Sequence, residues 1–222
     1  MTSIPRQAIE ILRRDLRREL RTGEVLWVTI PFGAIALLLI PLAVGTDIPL
    51  LRSLGPGIYW VVVLLFGVLV AMRRSGADNQ AQRDFLALSG LDPAARFVGQ
   101  ATANALLLLG FELVLGVVSI ALYDSSLTGW PWLLLILPIA AAGLALLGTL
   151  AAHIVESLGG ATALVPLLVA PLSVPLLLGA TQSMEALRLG RSILGWLLVM
   201  LIVMLTLAIA GILTARPLQE AQ

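Results

Sequence analysis

The stretch ILGWLLVMLIVMLTLAIAGILTA at residues 193–215 carries no charged side chain. It is apolar on every face of the helix it predicts. A helix on the surface of a water-soluble domain keeps a polar stripe opposite its apolar one. About 20 mainly apolar residues cross the roughly 30 Å of hydrocarbon in a bilayer, so this stretch is read as a membrane span. Five other stretches read the same way, at about 25–45, 54–72, 97–122, 131–152 and 161–180. Composition agrees. Of 222 residues, 59% are hydrophobic and 12% are charged, with a mean hydropathy of +1.00; average soluble domains carry about 25% charged residues. That excludes an ordinary soluble enzyme and a disordered chain.

The chain has no cysteine and no lysine, and all 14 basic residues are arginine. Without lysine there is no GxxxxGK[ST] phosphate loop and no Schiff-base chemistry. Without cysteine there are no disulfides, thiolate metal sites or covalent CxxCH haem attachments. Any ATP used in this protein's work is therefore hydrolysed on another chain, and no cofactor is held covalently here.

Arginine placement sets the expected orientation. Arg6, Arg13, Arg14, Arg17, Arg18 and Arg21 precede the first span, and Arg73, Arg74, Arg83 and Arg96 lie in the second connection. With Arg216 in the tail, 11 of 14 arginines fall on one side; Arg52, Arg188 and Arg191 fall on the other. The positive-inside rule then places both termini in the cytoplasm. The charged, amphipathic first 24 residues do not read as a cleavable signal peptide.

Two cytoplasmic pieces are amphipathic. Residues 5–21 predict a helix with Ile9, Leu12, Leu16 and Leu20 along one strip and arginines largely elsewhere. Such a helix lies in the interface, on acyl chains and anionic headgroups. The second connection holds a shorter helix at about 78–91, with Ala81, Phe85 and Leu88 on one face and Gln80, Arg83 and Asp84 polar. It either rests on the membrane or docks on a cytosolic partner. Asp92 and Pro93 then suit the N-cap and first position of the next helix.

Few polar residues stand inside the spans. Glu112 is the clearest, and a charged carboxylate there must be paired, wet or protonated. Asn104 lies 8 residues earlier and shares its face, so the two are candidates for a polar seam. His153, the one histidine, is read as an interfacial partner of Glu156 rather than a metal or haem ligand. Pro166, Pro171 and Pro175 suggest a broken or re-entrant fifth segment that gates; Pro56 is a further helix-break candidate. Trp27, Trp60, Trp130 and Trp132 are read as interfacial anchors. There is no Ser/His/Asp set, no HExxH, no paired carboxylates, and no metal or nucleic-acid site is expected.

Three stretches carry a family resemblance. Leu54-Gly55-Pro56-Gly57-Ile58 followed by Trp60 resembles an LxPGIxW opening of the second span. The connection with Arg73, Arg83, Asp84, Phe85, Leu86 and Leu88 resembles a charged loop with a short apolar helix. Residues 164–181, with Pro171 and Pro175, resemble an LxxPLxxPxLxxG pattern. Together they resemble the haem exporter protein B family, the permease subunit of the cytochrome c maturation ABC transporter; with the length, the six spans and the cytoplasmic termini, the resemblance covers nearly the whole chain. Departures include Gln82-Arg83-Asp84 where the family has a Gly-Ser-Leu-Glu-like turn, Glu156 in place of basic character, and Gln100 in place of a lysine.

The resemblance implies an all-α integral membrane protein of ABC-2-like permease type. It comprises an N-terminal elbow helix in residues 1–24, six transmembrane helices in 25–215, a cytoplasmic coupling helix and a tail at 216–222. It implies a bacterial inner-membrane complex with a second copy of this chain, a cytosolic ATPase subunit, C- and D-type membrane subunits and a periplasmic haem chaperone. Haem is then the molecule the complex handles and ATP is bound by the partner. Coupling to the ATPase is assigned to Arg73, Arg74, Asp78, Arg83, Asp84, Phe85 and Leu88. An ABC-2-type permease for a drug, lipid or polysaccharide shares this architecture. A stand-alone secondary carrier predicts more intramembrane ion-binding residues and an inverted repeat.

Overall fold

The computed structural model describes residues 4–23, 25–45, 47–75, 92–124, 129–158 and 163–220. Those residues form helices throughout: α1 Ile4–Thr22, α2 Ile30–Val44, α3 Ile48–Ser75, α4 Pro93–Tyr123, α5 Trp130–Ser157, α6 Leu164–Arg188 and α7 Leu194–Glu220. A short π-helical turn, Val25–Thr29, leads into α2. Six helices, α2 to α7, are long and apolar enough to cross a membrane.

α3 and α4 begin earlier than hydropathy alone predicts, because aspartate caps start them. Asp47 starts α3: its carboxylate accepts from the Leu50 amide at 3.2 Å and its carbonyl from the Leu51 amide at 2.9 Å. The helix therefore passes straight through Pro56, well before which it has already begun. Asp92 caps α4 as its sequence predicts, accepting from the Ala94 amide at 2.9 Å with Pro93 next in line.

The expected break in the fifth segment is not there. α6 runs continuously from Leu164 to Arg188. Pro166 sits in the first turn, where amides have no intrahelical acceptor to lose. Pro171 and Pro175 stand four residues apart on one exposed side, while Val169, Ser173 and Leu176 face inward. Both prolines thus turn outward, and Ser173 donates to the Ala170 carbonyl at 2.8 Å within the same stretch.

The core lies where α3, α4, α5 and α6 meet, around Trp60, Val63, Phe111, Leu115, Ile136 and Leu176, with Leu37 from α2 and Met200 from α7. Trp60 is a correction to the sequence reading. It is 1% exposed and its indole N–H donates to Met184 Sδ at 3.2 Å. The early start of α3 moves it inward: twelve residues from Ile48 rise about 18 Å. Trp27 and Trp130 do stand exposed, at 81% and 60%.

α1 is held against α4 by a close backbone approach. Ala8 and Ile11 are its buried residues. A Cβ built on Gly99 would sit 2.8 Å from the Ala8 carbonyl oxygen and 2.9 Å from Ile11 Cβ. Gln7 adds a hydrogen bond, its Oε1 accepting from the Asp92 amide at 3.1 Å.

Candidate functional site

Arg96, Gln100, Asn104, Leu108 and Glu112 succeed one another at intervals of four along α4. Steps of four drift by about 40° on a helix, so the row turns gradually around α4. Its first half faces α5 and its far end reaches α3.

At the first end, Phe97 is 1% exposed and its ring meets that of His153 edge-on, with centroids 5.8 Å apart. His153 Nε2 donates to Gln100 Oε1 at 2.9 Å. The hydrogen bond found for His153 thus crosses to α4, whereas its sequence neighbour Glu156 was the expected partner. One turn on, Asn104 Nδ2 donates to Thr149 Oγ1 at 3.0 Å, and Thr149 passes its own proton to the Ala145 carbonyl at 2.7 Å. Asn104 Oδ1 is buried with no hydrogen-bond partner among the described residues.

Glu112 is completely buried, and neither carboxylate oxygen has a hydrogen-bond partner among the described residues. Tyr59 of α3 crosses to it, donating its hydroxyl to the Glu112 backbone carbonyl at 2.8 Å. Tyr59 is braced edge-on by Trp60, at 5.0 Å between centroids. One turn beyond, Gly116 leaves room: a Cβ there would meet only the Tyr59 hydroxyl, at 3.9 Å. Glu112, the Tyr59 phenol and Gly116 thus meet where α3 crosses α4.

Unmatched buried polar atoms are rare in folded proteins and mark sites that bind water or ligand, or that store strain. Here Asn104 Oδ1, both Glu112 carboxylate oxygens and Ser183 Oγ are such atoms among the described residues, and Asn104 and Glu112 stand about 80° apart around α4. The arrangement places unmatched polar atoms at helix–helix contacts. It does not suit bond-making catalysis, which needs a nucleophile beside a base. Among the described residues no three acidic or histidine side chains gather as a metal site.

The sequence reading puts Asn104 and Glu112 on one face; two steps of four turn them about 80° apart, so that Asn104 meets α5 and Glu112 meets α3. Tyr59, Thr149, Gln100 and Gly116 are the members it misses; only the interval of four from Glu112 back to Gln100 signals any of them. Pro56, Pro166, Pro171 and Pro175 lie in α3 and α6, away from this row in sequence. Arg73 and Arg74 fall in the last turn of α3. Asp78, Arg83, Asp84, Phe85 and Leu88 lie outside the described residues.

The sequence matches the description "CcmB protein" over residues 6–220. The chain belongs to the CcmB family. Three curated relatives carry the name Heme exporter protein B. The protein of Bradyrhizobium diazoefficiens is 30% identical over 185 residues, 81% of this chain and 82% of its own. That of Haemophilus influenzae is 28% identical over 215 residues, 92% and 96% respectively. That of Pseudomonas aeruginosa is 31% identical over 199 residues, 85% of each. Against CcmB relatives of this extent, the match spans α1 and every one of the six long apolar helices.

Proposed function

We propose that this chain is the permease subunit of a haem-exporting ABC transporter that serves cytochrome c biogenesis, a transporter component rather than an enzyme. The observation that carries the proposal is the family match over residues 6–220, together with relatives named for haem export. The buried polar row of α4 supports it, because a permease needs polar side chains inside an apolar bundle.

In this reading the protein sits in the bacterial inner membrane with both termini in the cytoplasm. It pairs with a second copy of itself and with a cytosolic ATPase subunit, which binds ATP. C- and D-type membrane subunits and a periplasmic haem chaperone complete the system. Haem is the cargo of the complex and is not covalently held here.

The segment joining α3 to α4 couples the ATPase to the bundle through Arg73, Arg74, Asp78, Arg83, Asp84, Phe85 and Leu88. Force applied to that segment moves α3 against α4. The Tyr59–Glu112 contact lies on the plane of that movement, so sliding changes what the Glu112 carboxylate meets. Pro56 in α3 and Pro171 and Pro175 in α6 are the points at which these helices flex, with Pro166 opening α6.

Deleting the gene and staining membranes for covalently bound haem tests the function. Loss of holocytochromes c, restored by a plasmid copy, is expected. Normal holocytochrome levels in the deletion strain contradict the proposal. Charge reversal at both Arg83 and Asp84 tests the coupling assignment; co-purification with the ATPase unchanged by it would sink that assignment alone.

A further inference from the structure

All six arginines of α1 fall on one side. Set 100° apart per residue, Arg6, Arg13, Arg14, Arg17, Arg18 and Arg21 occupy an arc of roughly 140°. All six are exposed. Glu10 shares the arc, and Arg14 pairs with its neighbour Asp15 at 3.2 Å. Arg13, Arg17, Arg18 and Arg21 make no ion pair among the described residues.

The rest of the circumference divides in two. Ala8 and Ile11 are buried against α4 at Gly99. Between that contact and the arginines runs an apolar flank on which Ile9 and Leu20 stand 47% and 68% exposed. The strip read from the sequence as the apolar face is therefore not what fastens α1 to the bundle. Its Ile9 and Leu20 face outward, edge to edge with a cationic face, while Leu12 and Leu16 are half-buried. The chain then turns at Gly23, whose φ is +61°, and Trp27 lies over that turn before the first span begins. An exposed indole thus follows directly on a helix that carries exposed aliphatic side chains beside guanidiniums without ion pairs among the described residues.

We propose that this face of α1 is a binding site for anionic phospholipids. Their phosphate oxygens accept hydrogen bonds from Arg13, Arg17, Arg18 and Arg21 while their acyl chains cover Ile9, Leu20 and Trp27. An acidic protein surface or a free phosphate would match the arginines and leave the apolar flank in water. A bilayer surface of negative charge satisfies both flanks at once. The site does not depend on the identity of the cargo.

The test uses the full chain in phosphatidylcholine vesicles in which a minor fraction of lipid is brominated, either as phosphatidylglycerol or as phosphatidylcholine. Bromine quenches tryptophan it touches, and subtracting a Trp27→Phe protein isolates Trp27. Brominated phosphatidylglycerol is expected to quench roughly five-fold more strongly, the effect of one well-placed arginine at an anionic surface. About 0.5 M salt should abolish the difference. Replacing Arg13, Arg17, Arg18 and Arg21 together by Gln should abolish it too. Replacing the same four by Lys should keep it, as should Gln at Arg188 and Arg191. Equal quenching by the two lipids in the unaltered protein overturns the proposal. So does a preference that survives in the Gln protein, or one lost in the Gln and Lys proteins alike. Displacement by inorganic phosphate at constant ionic strength would mark a free-anion site and overturns it as well.

Discussion

Tyr59 and Glu112 are joined across the α3–α4 interface through the backbone: the phenol donates to the Glu112 carbonyl at 2.8 Å, while the Glu112 carboxylate is left with no hydrogen bond among the described residues. The link holds the helix and leaves the acid free to meet something else. Structure and chemistry are thus separated at one residue, and the two can be tested apart.

Tyr59→Phe removes the hydroxyl and nothing else. A buried hydrogen bond of this kind contributes roughly 0.5–1.5 kcal/mol. For a protein of this length that corresponds to a thermal midpoint lower by about 2–4 °C in detergent per kcal/mol. A midpoint unchanged by the substitution would show that the contact does not hold α3 to α4.

Asn104 and Thr149 should be energetically coupled. Asn104→Leu and Thr149→Val each break the 3.0 Å hydrogen bond between α4 and α5. In a double-mutant cycle on the midpoint, the pair is expected to lose less than the two singles added, by about 0.5–1.5 kcal/mol. Strict additivity would mean the hydrogen bond carries no net stability.

How much of this was readable beforehand depends on the range of the forces involved. The six spans follow from hydropathy, which is local, and so does the Asp92–Pro93 start of α4. Helical period alone brings Asn104 and Glu112 only to within about 80° of each other, and the neighbouring helices then divide them between α5 and α3. A hydropathy window begins at Leu54 and sets Trp60 near the interface, whereas the Asp47 cap begins the helix earlier. Proline count does not state direction, and so does not show the continuity of α6: Pro171 and Pro175 point outward and Pro166 needs no amide partner. Tyr59, Thr149 and the His153–Gln100 pair depend on which helix neighbours which, and nothing in a single sequence states that.

Gly99→Val should dislodge α1. The added side chain meets the Ala8 backbone carbonyl at 2.8 Å, which cannot swing aside as a side chain can. Overpacking of this kind costs about 1–3 kcal/mol. Brief trypsin treatment is expected to cut within Arg13–Arg21 several-fold faster than in the unaltered protein. An equal cutting rate would show that α1 does not rest on Gly99.

Glu112→Leu should keep or raise stability, because it removes a buried polar group with no partner among the described residues, a change worth about 1–3 kcal/mol when nothing compensates it. A purely structural acid would be lost at a cost; a midpoint lowered by the leucine would place Glu112 in the packing rather than in the work of the protein.

The most direct measurement pairs that substitution with function. In cells whose only copy carries Glu112→Leu, membranes are assayed for this protein and, by haem staining, for c-type cytochromes. The account predicts normal amounts of the protein with holocytochrome c strongly reduced. Normal holocytochrome c at normal protein levels would contradict it.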